Sequence, residues 1–218
     1  MNKVLSALRK LGPTVLILFW LFASAVSGYS QTAVTNDPPL YGPFNATILP
    51  DGDGLKKPLE KGDSVLRADT PWSIYVWVKV AEPLNVPVLV AGLGDPEEEF
   101  SRYLALDGEH AILWMGKDNS ISGPASLLPG KWHFVAATFD GEQFRLYSDG
   151  VQVASGKLDI GGVSPEVQMA PAFFPDSTWR HFGGMIASLT LQRRALSDAE
   201  VKELFQKPED FSLMEFEE

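Results

Sequence analysis

Alternating apolar and polar positions dominate the middle of the chain and predict β-strands. In residues 72–80 every second side chain is apolar, which places Trp72, Ile74, Val76, Val78 and Val80 on one face of a strand. We expect that face to belong to the core. The opposite face is half polar and half aromatic, and it includes Tyr75 and Trp77. It is either covered by a loop or exposed for binding.

Three Asp-Gly dipeptides separate strand-like segments, at Asp107-Gly108, Asp140-Gly141 and Asp149-Gly150. Because the hairpin turn needs positive φ, which glycine adopts readily, this pattern predicts antiparallel pairs. The predicted pairs are 103–106 with 111–115, 132–139 with 144–148, and 144–148 with 151–154. Residues 132–139 are apolar on both faces, which is typical of a central strand.

The remaining segments are predicted loops and one helix. Residues 117–130 and 156–180 are rich in Ser, Gly and Pro and should form surface loops. A helix is predicted at 198–206, with Ser197 and Glu200 as a capping box. Together these elements predict an all-β fold, a two-sheet antiparallel β-sandwich or jelly roll with one short C-terminal helix.

The chain ends carry different signals. Residues 1–28 combine early cations, an apolar run and small residues, which is typical of a secretory signal peptide. An uncleaved N-terminal anchor is the alternative, although the run is shorter than a membrane span needs. We therefore predict a secreted, cell-envelope or periplasmic protein with no membrane span in the mature chain. A polar linker is predicted at 29–43, one domain at 44–206, and an acidic tail at 207–218 that forms either an edge strand or a frayed end.

Composition limits how the fold can be stabilised and which partners the protein can bind. The chain of 218 residues has no cysteine, so apolar burial must stabilise it without disulfides. Its net charge of −10 disfavours binding to nucleic acid, which is itself a polyanion.

Residues 130–141 (GKWHFVAATFDG) and 145–154 (RLYSDGVQVA) resemble the central hairpin of laminin-G-like jelly-roll domains in the concanavalin A-like lectin/glucanase superfamily. Residues 72–79 resemble an early strand of that fold, and residues 182–201 resemble its last strand and closing helix. The resemblance implies the same sandwich over about residues 44–205. It does not choose a function, because the superfamily contains lectins, protein-binding modules and glycoside hydrolases.

No catalytic residues are predicted. Hydrolases of this superfamily alternate carboxylates along one strand, whereas residues 95–99 (DPEEE) place acids contiguously in a predicted solvated loop. His110, His133 and His181 are too widely spaced for a helical zinc motif. We therefore expect a non-enzyme, with a hydrolase of degenerate carboxylates as the alternative.

No cofactor is required, but a structural calcium ion is an open question because many members of the superfamily hold one at the sandwich rim. Asp51 and Asp53 could ligate it, and a simple turn explains the same pattern. Members often carry an acidic pair where this chain has Ala187-Ser188, which argues against the usual calcium arrangement.

The predicted binding surface lies at the end of the second long loop. Aromatic rings stack on sugars and polar groups bond to hydroxyls, so the candidate ligand-binding residues are Phe173, Phe174, Asp176, Trp179, Arg180 and His181. Alternatively, the aromatic side chains cap the sandwich and hold the loop. The predicted function is an exported, non-catalytic module that binds carbohydrate or a cell-envelope protein through rim loops. A structural module associated with a partner enzyme is the alternative.

Overall fold

Two antiparallel sheets of six strands each face one another in the computed structural model, which describes residues 38–48, 54–116 and 118–207. Sheet I contains, in spatial order, β1 (Tyr41–Ile48), β12 (Gly184–Gln192), β3 (Trp72–Lys79), β8 (Trp132–Phe139), β9 (Phe144–Ser148) and β10 (Val151–Gly156). Sheet II contains β2 (Leu55–Pro58), β11 (Glu166–Met169), β4 (Val88–Leu93), β5 (Arg102–Leu106), β6 (His110–Trp114) and β7 (Ser120–Pro124). The predicted all-β sandwich is confirmed.

The Asp-Gly hairpins form in the predicted register. Leu106 lies opposite Ala111, and β8 pairs with β9. At the third turn Asp149 and Gly150 have φ values of 47° and 75°. A two-residue hairpin with a type I′ turn needs positive φ at both central positions. The short Asp-Gly signals therefore set much of the strand pairing.

The core lies between the sheets and follows the predicted period of two. Trp72, Ile74, Val76, Val78 and Val80 are all buried in the main apolar cluster. Strand β8 lies inside sheet I, between β3 and β9, which confirms it as a central strand.

A helix, α1 (Asp198–Gln206), covers part of the outer face of sheet I. It begins with the predicted capping box, in which Ser197 and Glu200 satisfy each other's backbone N–H groups. Phe205 of the helix stacks on Trp77, with ring centroids 5.7 Å apart and planes 18° apart. The aromatic face of β3 is thus covered by the helix and not by a loop.

Both long loop predictions were wrong in part. Strand β7 lies within 117–130 and strand β11 within 156–180. Strand β11 pairs with β2 on one side and β4 on the other, and its Val167 and Met169 are fully buried. Strand β7 is a sheet edge, where its glycine and proline are tolerated. Strand β1 begins at Tyr41, so residues 41–43 of the predicted linker are strand.

Candidate functional site

A cleft of about 730 Å³ lies at one end of sheet II. It is formed where several connections meet: the β4–β5 loop, the β6–β7 turn, the segment before β11 and the segment after it. The lining residues are 96–100, 114–116, 118–119, 159–160, Phe173 and Pro175. Its volume is within the range of about 300–1,000 Å³ that is typical of small-molecule sites.

Aromatic side chains on the outer face of sheet II form one part of the lining. Trp114, the last residue of β6, is 7% exposed and packs on Tyr103 of β5, with ring centroids 6.3 Å apart. The segment after β11 lays Phe173 and Trp179 against the same indole, at centroid distances of 5.9 and 6.3 Å. Of these rings, Trp114 and Phe173 line the cleft.

Carboxylates form the second part of the lining. Of the predicted solvated loop at residues 95–99, Glu97, Glu98 and Glu99 are exposed, whereas Pro96 is buried. Asp118 and Asp159 enter from the β6–β7 turn and from the segment before β11. The described lining of the cleft thus combines five carboxylate side chains with aromatic rings.

Hydrogen bonds fix the loops that carry these carboxylates. The Asn119 amide nitrogen donates to the Met115 oxygen at 3.2 Å and to the Asp159 oxygen at 2.8 Å. The Asn119 side-chain oxygen accepts from the Asp159 N–H at 3.1 Å. On the other side, Glu98 accepts from the Ser164 N–H at 2.9 Å. The cleft is therefore held by contacts between segments far apart in sequence.

A buried cation ties the segment before β11 to the connection between β2 and β3. Arg102 is fully buried, and its guanidinium donates to the carbonyl oxygens of Val65, Arg67 and Gly161. It also lies over the Trp72 ring, 5.2 Å from the centroid. Burial lowers the pKa of Arg102 from its usual value to about 10. Three separate chain segments are tied together through this one side chain.

The six predicted ligand-binding residues are distributed over different environments, and of these Phe173 lines the cleft. Phe174 is 48% exposed. Trp179 packs on Trp114. The remaining three bond within their own loop: Asp176 accepts from the Thr178 N–H, Arg180 donates to the oxygens of Ser177 and Trp179, and His181 donates from Nε2 to the Ala170 oxygen at 2.9 Å. Their assignment to ligand binding stays a prediction.

Trp114, Asp118 and Asp159 line the cleft but were not identified from the sequence. Trp114 ends a strand-like run. Aromatic residues are enriched in strands generally, so the residue type alone does not indicate a binding site. No sequence signal joins the two aspartates, because their proximity depends on strand pairing.

The predicted metal ligands Asp51 and Asp53 lie outside the described residues. Across the ranges that the structure describes, no three His, Asp or Glu side chains are grouped so that they could hold a metal ion. At the position where members of the superfamily often carry an acidic pair, Ser188 has a φ of 51° and its N–H donates to the Asn45 side chain at 2.8 Å. This backbone is part of an irregularity in the β12–β3 pairing.

His133 is a packed side chain. Its Nδ1 lies 2.9 Å from an Asp149 oxygen, and its Nε2 accepts from the Leu128 N–H at 2.9 Å. The ring therefore connects the start of β8 to the third Asp-Gly turn. Within the described part of the chain, no helix is long and apolar enough to cross a membrane.

The two facing antiparallel sheets define a jelly-roll module. A protein-family model described as the concanavalin A-like lectin/glucanases superfamily, of laminin G type, matches residues 53–202. The chain belongs to this family.

The chain is also similar to a segment of a much longer protein. Pappalysin-1 from Homo sapiens is 30% identical over 168 residues, and that from Mus musculus is 29% identical over 170 residues. These alignments cover 62% and 64% of this chain but only 10% of either relative, so the chain spans about a tenth of their length.

Solved structures of the same fold include several binding domains. The botulinum neurotoxin serotype D binding domain has a TM-score of 0.59 at 15% identity, over 74% of this chain and 42% of that one. The CBM40 module of the Ruminococcus gnavus IT-sialidase, bound to α2,3-sialyllactose, has a TM-score of 0.55 at 15% identity, over 76% of this chain and all of that one. Botulinum neurotoxin type C, whose cell entry depends on two ganglioside molecules, scores 0.60 at 14% identity, over 76% of this chain and 43% of that one. At these identities the likeness concerns the fold.

Proposed function

We propose that this chain is an exported, non-catalytic module that binds a glycan in the cleft at the end of sheet II. The observation that carries the proposal is the composition of the cleft. It joins the flat rings of Trp114 and Phe173 to carboxylates at Glu97, Asp118 and Asp159. Rings offer a stacking surface for the apolar face of a sugar, and carboxylates accept hydrogen bonds from its hydroxyls.

Two further observations support a binding role. The cleft floor rests on a sheet and its loops are bonded to one another, so the site is formed before a ligand arrives. The solved structures that share the fold include a module bound to sialyllactose and a toxin whose cell entry depends on interaction with two ganglioside molecules. A surface protein is the other ligand that the family admits, and a glycan fits the aromatic and acidic lining better.

Substitution of Phe173 tests the site. Titration against a glycan array should identify a binding saccharide, and Phe173→Ala should weaken its affinity by roughly tenfold, which equals about 1.4 kcal/mol. Phe174→Ala is the matched control, because this neighbouring ring is exposed and does not line the cleft. Phe173→Leu keeps apolar volume but loses the flat face, so it should also weaken binding while the fold is kept.

Three results would reject this assignment. Failure to bind any saccharide would remove the glycan function. Equal loss of affinity in Phe173→Ala and Phe174→Ala would place the site outside the cleft, on the exposed part of the segment after β11. Loss of affinity in Trp179→Ala without loss in Phe173→Leu would do the same. Release of new reducing ends from a bound oligosaccharide would contradict the absence of catalysis.

Export is the other part of the proposal. It rests on the signal-peptide pattern of residues 1–28, which lie outside the described residues. N-terminal sequencing of the protein recovered from its host should find a chain that begins near residue 29. Recovery of an intact N-terminus in the membrane fraction would instead support the uncleaved anchor.

A further inference from the structure

We infer that residues 208–218, which follow the helix, dock back onto the outer face of sheet I and fill a groove beside α1. The groove has a volume of about 250 Å³. It is formed by side chains of β3, β8, β12 and α1 and by the residues at the start of β1. Among the described residues it shares no lining with the cleft at the end of sheet II, so this inference does not depend on glycan binding.

Apolar side chains form most of the described lining of this groove. Trp77 and Phe134 contribute buried rings from two neighbouring strands. Leu204 adds apolar surface from the helix, and Pro39 and Pro43 add it from the opposite side of the chain. The volume lies below about 300 Å³, the lower end of small-molecule sites, and it suits one or two large side chains. The lining therefore favours an apolar segment of protein as its occupant.

The chain reaches residues 208–218 directly from the groove. Lys207, the last described residue, is itself one of the lining residues. Its φ of −120° and ψ of 61° depart from the helix, and a proline at 208 disfavours any continuation of the helix. Phe211 lies four residues further on, so it is at most about 14 Å from Lys207 along an extended chain. A segment tethered this closely has a high effective concentration at the groove, so modest contacts suffice to dock it.

The composition of residues 208–218 matches that occupant. Phe211, Leu213, Met214 and Phe216 supply four large apolar side chains within six residues. Segments that stay solvated as disordered chains are poor in apolar and aromatic residues. The acids of the same segment, at positions 209, 210, 215, 217 and 218, allow its other side to remain in water. This pattern fits a segment with one side buried against the protein.

Limited proteolysis of the full chain tests the docking. Chymotrypsin cleaves after Phe, Leu and Met, so it shortens residues 208–218 whenever they are undocked, and the intact mass identifies that loss. Because cleavage requires the undocked segment, its rate follows the undocked population. We expect cleavage after Phe211 to be at least roughly tenfold slower in the protein than in a synthetic peptide of residues 208–218.

Two groove variants on different elements should release the segment. Leu204→Ser removes apolar surface on the helix, and Gln192→Trp places a ring in the groove from β12. Each should raise the cleavage rate toward that of the free peptide. Lys202→Ser and Gln152→Trp are the matched controls, because both positions are exposed and neither lines the groove. They should leave the rate unchanged.

A cross-link identifies the occupant directly. The chain has no cysteine, so introduced thiols react only with each other. A short bismaleimide should join Ser212→Cys to Gln192→Cys in the full chain. It should not join Ser212→Cys to Glu109→Cys, which is exposed in the turn between β5 and β6.

Four results would overturn docking in the groove. The first is cleavage in the native protein as fast as in the peptide. The second is slow cleavage that neither groove variant accelerates, which would place the segment along a sheet edge. Equal acceleration by the control variants would indicate a general loosening of the fold, and equal cross-linking to positions 109 and 192 would remove the groove as the site of contact. None of these results bears on glycan binding, which the variants of the cleft test separately.

Discussion

Arg102 offers a quantitative test of how the cleft is supported. Replacement by Met removes three hydrogen bonds to backbone carbonyls, one of them fully buried and two partly buried, and a cation–π contact with Trp72. Bonds to charged groups contribute about 1.5–3 kcal/mol, less where water can replace them, so the gross loss is about 5 kcal/mol.

The buried charge opposes that loss. Burial lowers the pKa of Arg102 from the ordinary value of an arginine to about 10. That shift corresponds to a penalty of about 3 kcal/mol on the charged form. Methionine avoids this penalty because it carries no charge. We therefore expect Arg102→Met to reduce the free energy of unfolding by about 2 kcal/mol.

Arg102→Lys makes the prediction sharper. The ammonium keeps the buried charge but cannot reach three carbonyls on two segments as a planar fork does, so the loss should be larger, about 3–4 kcal/mol. Urea unfolding at pH 7, followed by tryptophan fluorescence, measures both. A Lys variant as stable as the Met variant, or a Met variant as stable as the wild type, would refute this balance.

Two further predictions concern stability. Phe205→Ala removes the ring that stacks on Trp77 and should reduce the free energy of unfolding by about 2–3 kcal/mol. Lys202→Ala, on the exposed side of the same helix, is the control, and similar losses in both would contradict the packing argument. Asp140 has a pKa lowered to about 2, first by the backbone N–H groups of residues 142–143 and then by Arg145. Its stabilisation should be present above about pH 4 and lost as pH falls toward 2, so Asp140→Asn should cost about 0.5–1 kcal/mol at pH 7 and nothing near pH 2; a constant difference in urea unfolding across that range would be contrary to this origin.

The sandwich could be predicted because its strongest signals are local. The alternation in residues 72–80 and the Asp-Gly turns set the period and the register of β3, β8 and β9. The capping box at Ser197 identified the start of the helix. Strands β7 and β11 lack such signals, because β7 reads Ser-Ile-Ser-Gly-Pro and β11 is four residues long between proline-containing segments. Pairing with neighbouring strands determines their structure, and a single sequence does not display that pairing.

The cleft was not predicted from the sequence because strand β11 was not predicted. Pairing of Val167 with Leu93 brings the segment before β11 alongside the β4–β5 loop. The Gly94 N–H then donates to the Glu166 oxygen at 2.8 Å, and the Asp95 N–H donates to the Ser164 hydroxyl at 2.8 Å. With β11 treated as loop, the acids at 97–99 have no opposing wall and are interpreted only as solvated surface. The same carboxylates become one side of a cleft once that strand is in place, so the role proposed for this loop depends on a contact that its own sequence does not encode.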